Sequence, residues 1–221
     1  MNPVLFASTN RGKFKELSTA SSLFGVKVLF PADLVEGLYS EAGIDSPLGP
    51  YPLVEETGGT YRENALLKAQ AFHDWSKIPS LGDDTGLEVT ALNGAPGIYS
   101  ARYAGARAVT ANNIDKLLSD LEQLESRKGR VDRTARFVCV LVLVLGNGKY
   151  MEASGELKGE IARYPSGRGG FGYDSVFVVQ GYGRTLAELK EKGPTFKTHR
   201  ILALEKLWEE LSSSFSGCDR G

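Results

Sequence analysis

The sequence predicts a mixed α/β fold, a central sheet with helices on both faces. Three observations lead there. The chain opens with a short apolar run, a polar turn and a stretch with apolar residues at helical spacing. Phe137 to Leu145 is a continuous, β-branched apolar run with no alternation, as expected of a strand buried on both faces. Several long segments between and after these carry a helical stripe, with no internal repeat and no linker.

Taken in order, Val4 to Ala7 reads as a buried strand and Ser8 to Gly12 as the turn after it. Phe14, Leu17, Ser21 and Phe24 mark a helix, and Val26 to Phe30 a second strand. Residues 37–53 are rich in proline and glycine and have no period, so they are expected to form a long loop. Thr60 and Glu63 form a capping-box signature for a helix running to about Trp75, with Tyr61, Ala65, Ala69 and Phe72 on one face. Ser80 to Asp83 and Leu87 to Val89 read as two short strands around an Asp-Asp-Thr-Gly corner. Thr110 to about Arg127 is a polar helix with Ile114, Leu117, Leu118 and Leu121 inward. Asn147-Gly148 signals a tight hairpin into Lys149 to Leu157. A glycine-rich loop, Ser166 to Asp174, precedes a strand from Ser175 to Val179. The last helix is expected from His199 to Leu211, with Ile201, Leu204, Trp208 and Leu211 as its stripe. The organisation expected is one domain over 1–211 and a flexible tail over 212–221.

Bulk composition narrows the function classes. The formal net charge of −1 argues against a nucleic-acid partner, because a duplex binder usually carries a clear basic excess. Two cysteines, Cys139 and Cys218, make neither a disulfide framework nor a zinc spacing, which fits a reducing cytoplasm. The longest apolar run is far below the ~20 residues of a spanning helix, so no membrane partner is expected.

Five segments bear on chemistry. Ser8, Thr9, Asn10, Arg11, Gly12 and Lys13 lie between a strand end and a helix start, where unpaired N–H groups and the dipole favour an anion. The segment is either a phosphate cradle or an ordinary capped helix with a solvated lysine, and it is not the Walker pattern. Glu55, Glu56 and Thr57 precede a helix on which Asn64 and Lys68, four apart, share a face. Mg²⁺ takes one or two carboxylates and completes its shell with phosphate oxygens and water; taken alone, these charges also read as solvated. Asp83 and Asp84 follow an apolar stretch, where two like charges are costly unless a cation or donors compensate. Adjacent side chains of an extended chain point to opposite faces, so the two need not meet one metal. Phe171, Gly172, Tyr173 and Asp174 close the glycine-rich loop and offer flat surfaces to a base, with Asp174 as acceptor. Lys197, Thr198, His199 and Arg200 bring cationic groups to a helix N-terminus, which suggests something electron-rich nearby.

Together these segments resemble the inosine triphosphate pyrophosphatase family, the non-standard purine NTP pyrophosphatases. The resemblance runs from Ala7 to about Leu207 and rests on ASTNRGKFKEL, EETGGTYRENALLKA, DDTGLEVTALNGAPGIYSARYAG, GGFGYDSVF, TLAEL and THR, in the family's order. It implies two lobes with a deep cleft, a homodimer, and Mg²⁺-dependent hydrolysis of dITP, ITP and XTP to the monophosphate and pyrophosphate. By position, residues 8 to 13 and Lys68 would hold the triphosphate, and Glu56 and Asp84 the metal, with Asp83 either behind those ligands or a further metal contact. Asp84 would also be the catalytic base. Thr85 would contact the substrate, Phe171 would stack on the purine with Gly172, Tyr173 and Asp174 around it, and His199 and Arg200 would read the 6-oxo edge. Two departures stand out. Where the family commonly has a lysine, this chain has Pro194, and Lys192 is the expected substitute, with Lys197 the other choice. The 37–53 loop is longer than is usual there. The septum-associated nucleotide pyrophosphatases share the architecture, but the GFGYD and THR segments argue against them. A non-catalytic nucleotide-binding regulator would be expected to lack the carboxylates present here.

Overall fold

The computed structural model describes residues 3–36, 43–44, 48–193 and 196–216, the last three by backbone alone. Most of the expected 37–53 loop, Pro194 and residues 217–221 lie outside the described residues. Among the described residues, seven strands form one sheet flanked by helices. Its order is β2-β1-β3-β5-β6-β7, with β4 paired to β3. The strands are β1 (Val4–Phe6), β2 (Val28–Leu29), β3 (Ser80–Val89), β4 (Pro96–Gly97), β5 (Thr134–Gly146), β6 (Lys149–Ile161) and β7 (Phe177–Val179). The helices are α1 (Arg11–Ser22), α2 (Pro31–Glu36), α3 (Tyr61–Ser76), α4 (Thr110–Lys128), α5 (Leu186–Glu191) and α6 (His199–Ser216). β1 runs parallel to both β2 and β3, as strand–helix–strand crossovers require, while β3–β4 and β6–β7 are antiparallel.

Backbone contacts divide the chain into two compact units. The first comprises residues 1–84, 139–155 and 200–221, and the second 85–138 and 156–199. In the first unit, strand alternation explains the two-sided core. Phe6, Leu81, Cys139, Leu141 and Leu143 pack with Leu17 of α1 and Leu204, Leu207 and Trp208 of α6. Leu5 and Ala7 meet Leu34 of α2 and Phe72 of α3, while Val142 and Val144 meet Ala65 and Ala69 of α3. Each fully buried aliphatic or aromatic side chain contributes roughly 1.5–3 kcal/mol by leaving water. In the second unit, Leu87, Val89, Ala135, Phe137, Phe177 and Val179 pack with Ile114, Leu117 and Leu121 of α4 and Leu186 of α5.

Local signals act where expected. Thr60 and Glu63 complete the capping box of α3. Asn147 and Gly148 both take positive φ, 54° and 72°, in the turn between β5 and β6. The expected corner at residues 83–86 is instead the middle of one continuous ten-residue strand, β3. Gly82 lets α3 pack directly on this strand: a Cβ there would run into the backbone carbonyl of Ala65 on α3. Gly82→Ala is therefore expected to cost about 1–3 kcal/mol by forcing α3 off the sheet, read as a lower denaturant midpoint. α6 continues to Ser216, past the Leu211 expected as its end.

Candidate active site

The alternation of β3 decides where its two aspartates go. Leu81 belongs to the α1–α6 side, so Asp83, two residues on, takes that side as well. Its carboxylate is 0% exposed. It is paired with Lys13 of α1, accepts from Arg200 Nε of α6 at 2.7 Å, and takes the Cys139 thiol at 3.4 Å. Arg200, 1% exposed, donates its Nη1 to Glu16 of α1 at 2.7 Å. Burial by itself would push Asp83 up, but Arg200 and Lys13 outweigh it and hold the carboxyl far below the ordinary carboxylate range. Burial likewise works against the Arg200 charge, and Asp83 and Glu16 outweigh it.

Asp84 takes the opposite side, toward α3. Lys68 Nζ donates to its Oδ1 at 3.0 Å and to Glu56 Oε1 at 2.6 Å. Asn64 donates to Asp84 Oδ2 at 3.4 Å and accepts the Gly58 N–H at 2.8 Å, which ties the segment after Glu56 to the same cluster. Here burial wins. It raises the Asp84 carboxyl above its ordinary value, Lys68 pulls it down and Glu56 adds to the rise. Lys68, 8% exposed, stays charged because Asp84 and Glu56 outweigh the burial that disfavours its ammonium. Two neighbours on one strand thus have opposite electrostatics, a fixed counter-ion and a carboxylate with raised proton affinity. Among the described residues no group of three or more His, Cys, Asp and Glu converges as a metal site. The pair Glu56 and Asp84, converging on one ammonium, is the donor set that suits Mg²⁺ if phosphate and water complete the shell.

The segment at residues 8–13 is the capped start of α1. Asn10 is the N-cap and accepts the Lys13 N–H at 3.0 Å, and Ser8 accepts the Asn10 N–H at 3.2 Å. Thr9 and Gly12 are exposed. Exposed Arg11 stacks over Phe30, 4.6 Å from the ring centroid. The first turn carries no acidic residue, so its positive dipole end is left to an anion.

The second unit holds the other predicted residues. Half-buried Phe171 and Gly172 precede buried Tyr173 and Asp174. Asp174 Oδ2 accepts the Phe171 N–H at 2.9 Å and Lys190 Nζ at 3.0 Å. Tyr173 donates its hydroxyl to the Ser100 carbonyl at 2.9 Å and packs in the core. His199, 3% exposed, stacks on Phe137 with ring centroids 4.7 Å apart. Thr85 is half-buried on β3. Lys192 is exposed at the end of α5, and Lys197 is exposed as well. His199 and Arg200, adjacent in sequence, therefore belong to different units and different partners.

Asn64, singled out by its i, i+4 spacing to Lys68, joins the cluster, and two further participants carry no such signal. Glu16 had no local signal. Lys190 sits on a helix whose capping box, Thr185 with Glu188, was readable in the sequence.

Fold and site define a class: a mixed α/β protein whose sheet carries a network of two carboxylates on one buried lysine. The chain belongs to the Ham1 family, whose sequence model matches residues 4–210. It is 41% identical over 219 residues to a dITP/XTP pyrophosphatase of Aquifex aeolicus, covering 95% of this chain and 96% of that protein. A dITP/XTP pyrophosphatase of Shigella flexneri is 40% identical over 213 residues, covering 96% and 98%. The solved structure of a HAM1 protein from Coxiella burnetii superposes with a TM-score of 0.78 at 36% identity, covering 96% of this chain and all of that one.

Proposed function

We propose that this protein hydrolyses non-standard purine nucleoside triphosphates, dITP, ITP and XTP, to the monophosphate and pyrophosphate with Mg²⁺, cleansing the nucleotide pool. The observation that carries the reading is the network of Glu56, in the segment before α3, with Lys68 of α3 and Asp84 of β3, in a chain of this family. Glu56 and Asp84 would hold the metal, which when bound supplies charge that offsets the triphosphate and acidifies a water.

The chain's own residues do the rest. Lys13, Lys68 and the N-terminal turn of α1 bind the triphosphate and offset charge developing on it. Asp84 takes the proton as water attacks phosphorus and pyrophosphate leaves, held in place by Lys68 and Asn64. Asp83 acts as the counter-ion that fixes Lys13 and Arg200. Phe171 provides the flat face on which the purine stacks, worth roughly 1–3 kcal/mol. A 6-oxo group is an acceptor, whereas adenine presents an amino donor there and would leave site donors unpaired. The resemblance also carries a homodimer into this reading, and the two cysteines without a disulfide framework carry a cytoplasmic location. Sedimentation and cell fractionation test those two. Among the described residues, no helix is long and apolar enough to cross a membrane.

The deciding experiment is a panel of ITP, dITP, XTP, ATP, GTP and dTTP, with Mg²⁺ or with a chelator, detecting pyrophosphate separately from orthophosphate. Pyrophosphate release that is fastest with ITP, dITP and XTP and lost on chelation is expected. Equal rates with ATP and GTP would overturn the substrate class, and orthophosphate alone would overturn the cleavage site.

A further inference from the structure

One face of α3 carries Asn64, Lys68, Phe72 and Trp75, spaced four, four and three residues apart. The chain that leads into α3 is laid back along this face, from the C-terminal end of the helix to its N-terminal end. Trp75 Nε1 donates to the Gly49 carbonyl at 3.1 Å. The Tyr51 ring stacks on Phe72 with centroids 6.4 Å apart, and Trp75 meets the same Phe72 edge-on at 6.0 Å. Lys68 then holds Glu56, and Asn64 accepts the Gly58 N–H. As the incoming chain advances from residue 49 to 58, its partners on the helix recede from 75 to 64.

Glu56 lies between two anchors on this track, two residues from each. On one side, Leu48, Tyr51 and Val54 pack with Trp75 against the cluster of Leu34 and Phe72. On the other, Gly58 sits so close to α3 that a Cβ there would strike Asn64 Oδ1 and the Glu63 side chain. The Asn64 that holds Gly58 is 0% exposed and donates to Asp84 as well. The course of the chain, and not the ion pair alone, therefore brings the Glu56 carboxylate to Lys68. A glutamate on a free loop would lose backbone and rotamer freedom on taking up a cation, and a chain held in advance removes the backbone part of that cost.

We propose that Trp75 and Tyr51 are positioning residues for Glu56: by clamping residues 49–54 to the C-terminal half of α3, they preset this carboxylate to take up a divalent cation with Asp84. The proposal rests on the hydrolase reading above, which gives Glu56 and Asp84 to the metal. Trp75 lies seven residues from Lys68. That is roughly 10 Å of helix rise, so Trp75 acts on the cation through the chain it holds.

The test measures Mn²⁺ binding to the nucleotide-free protein, read from the paramagnetic resonance signal of the free ion. It compares wild type, Tyr51→Ala, Trp75→Ala, Trp75→Phe, Glu56→Gln and the double variant Tyr51→Ala with Glu56→Gln. Tyr51→Ala and Trp75→Ala are each expected to weaken Mn²⁺ binding about 10-fold, and Trp75→Phe, which keeps a ring and loses the N–H, by less. The Mg²⁺ concentration for half-maximal ITP turnover should rise in step, while kcat at saturating Mg²⁺ stays within about 3-fold of wild type. In the Glu56→Gln background, Tyr51→Ala should change Mn²⁺ affinity less than about 2-fold, because the group it acts through is gone. Thermal unfolding sets a temperature at which each variant is folded, and where an alanine variant does not fold, Tyr51→Leu and Trp75→Phe decide by the same comparison. Folded variants with wild-type Mn²⁺ affinity overturn the proposal, as does an equal loss with and without the Glu56 carboxylate. A wild type that binds Mn²⁺ no better than Glu56→Gln overturns the metal role of Glu56 and this proposal together.

Discussion

Asp84→Asn is expected to lower turnover of ITP by about 10²–10⁴-fold while the folded protein still binds nucleotide. The substitution keeps the shape of the side chain and removes one charge. It thereby removes both the proton acceptor and one of the two carboxylates that converge on Lys68. Burial, and after it the Glu56 carboxylate, raises the Asp84 carboxyl above its ordinary value against the pull of Lys68, and a Mg²⁺ held there would lower it. Single-turnover rates with Mg²⁺, beside calorimetric binding of ITP, separate the chemical step from affinity. Turnover within a few-fold of wild type would refute Asp84 as the base. A variant that no longer binds nucleotide at all would point instead to a purely electrostatic role in holding the triphosphate and its metal.

Asp83→Asn, one residue away, is expected to act on stability, lowering it by about 3–5 kcal/mol. It strips the counter-ion from Arg200, which is fully buried, and from Lys13, leaving Glu16 as a partner of Arg200. The pH dependence carries the signature. The folded-state pKa of Asp83 lies below its unfolded value of roughly 3.9. Its stabilisation is therefore complete above that value and lost as pH falls through it toward the folded pKa, where the unfolded chain binds a proton that the folded chain does not. Guanidinium midpoints of wild type and variant should lie far apart at pH 7 and closer together at pH 3. A gap of the same size at both pH values would show that the carboxylate charge of Asp83 is not what holds this part of the fold.

That two adjacent aspartates should differ so sharply was partly readable in the sequence. Backbone alternation already set them on opposite faces. What each would meet was not readable, because the Asp83 partners Lys13 and Arg200 lie 70 and 117 residues away. The capping box at Thr60, the Asn147-Gly148 hairpin and the two-sided β5 were legible because each depends on residues within a few positions of one another. The continuous β3 was not. Asp-Asp-Thr-Gly has the composition of a turn, and it is held extended by tertiary context. Pairing with β1 and ion pairs to α1, α3 and α6 override the local preference. The six-residue helices α2 and α5 are too short to show a period, although α5 did carry its capping pair. The base-edge role assigned by resemblance to Arg200 gave no hint that its guanidinium would be engaged by Asp83 and Glu16.

The division of the chain has a consequence for its synthesis. The second unit is drawn wholly from residues 85–199, whereas the first needs both the opening 84 residues and the stretch from Arg200 onward. A ribosome delivers all of the second unit before the first can be finished. Phe6, Leu17 and Leu81 must wait for Leu204, Leu207 and Trp208, the last large pieces of their core, to emerge. Asp83 must wait equally long for Arg200. A released chain truncated after residue 199 would then hold a protease-resistant second unit with the first unit still open to cleavage, and supplying the residues of α6 would close it.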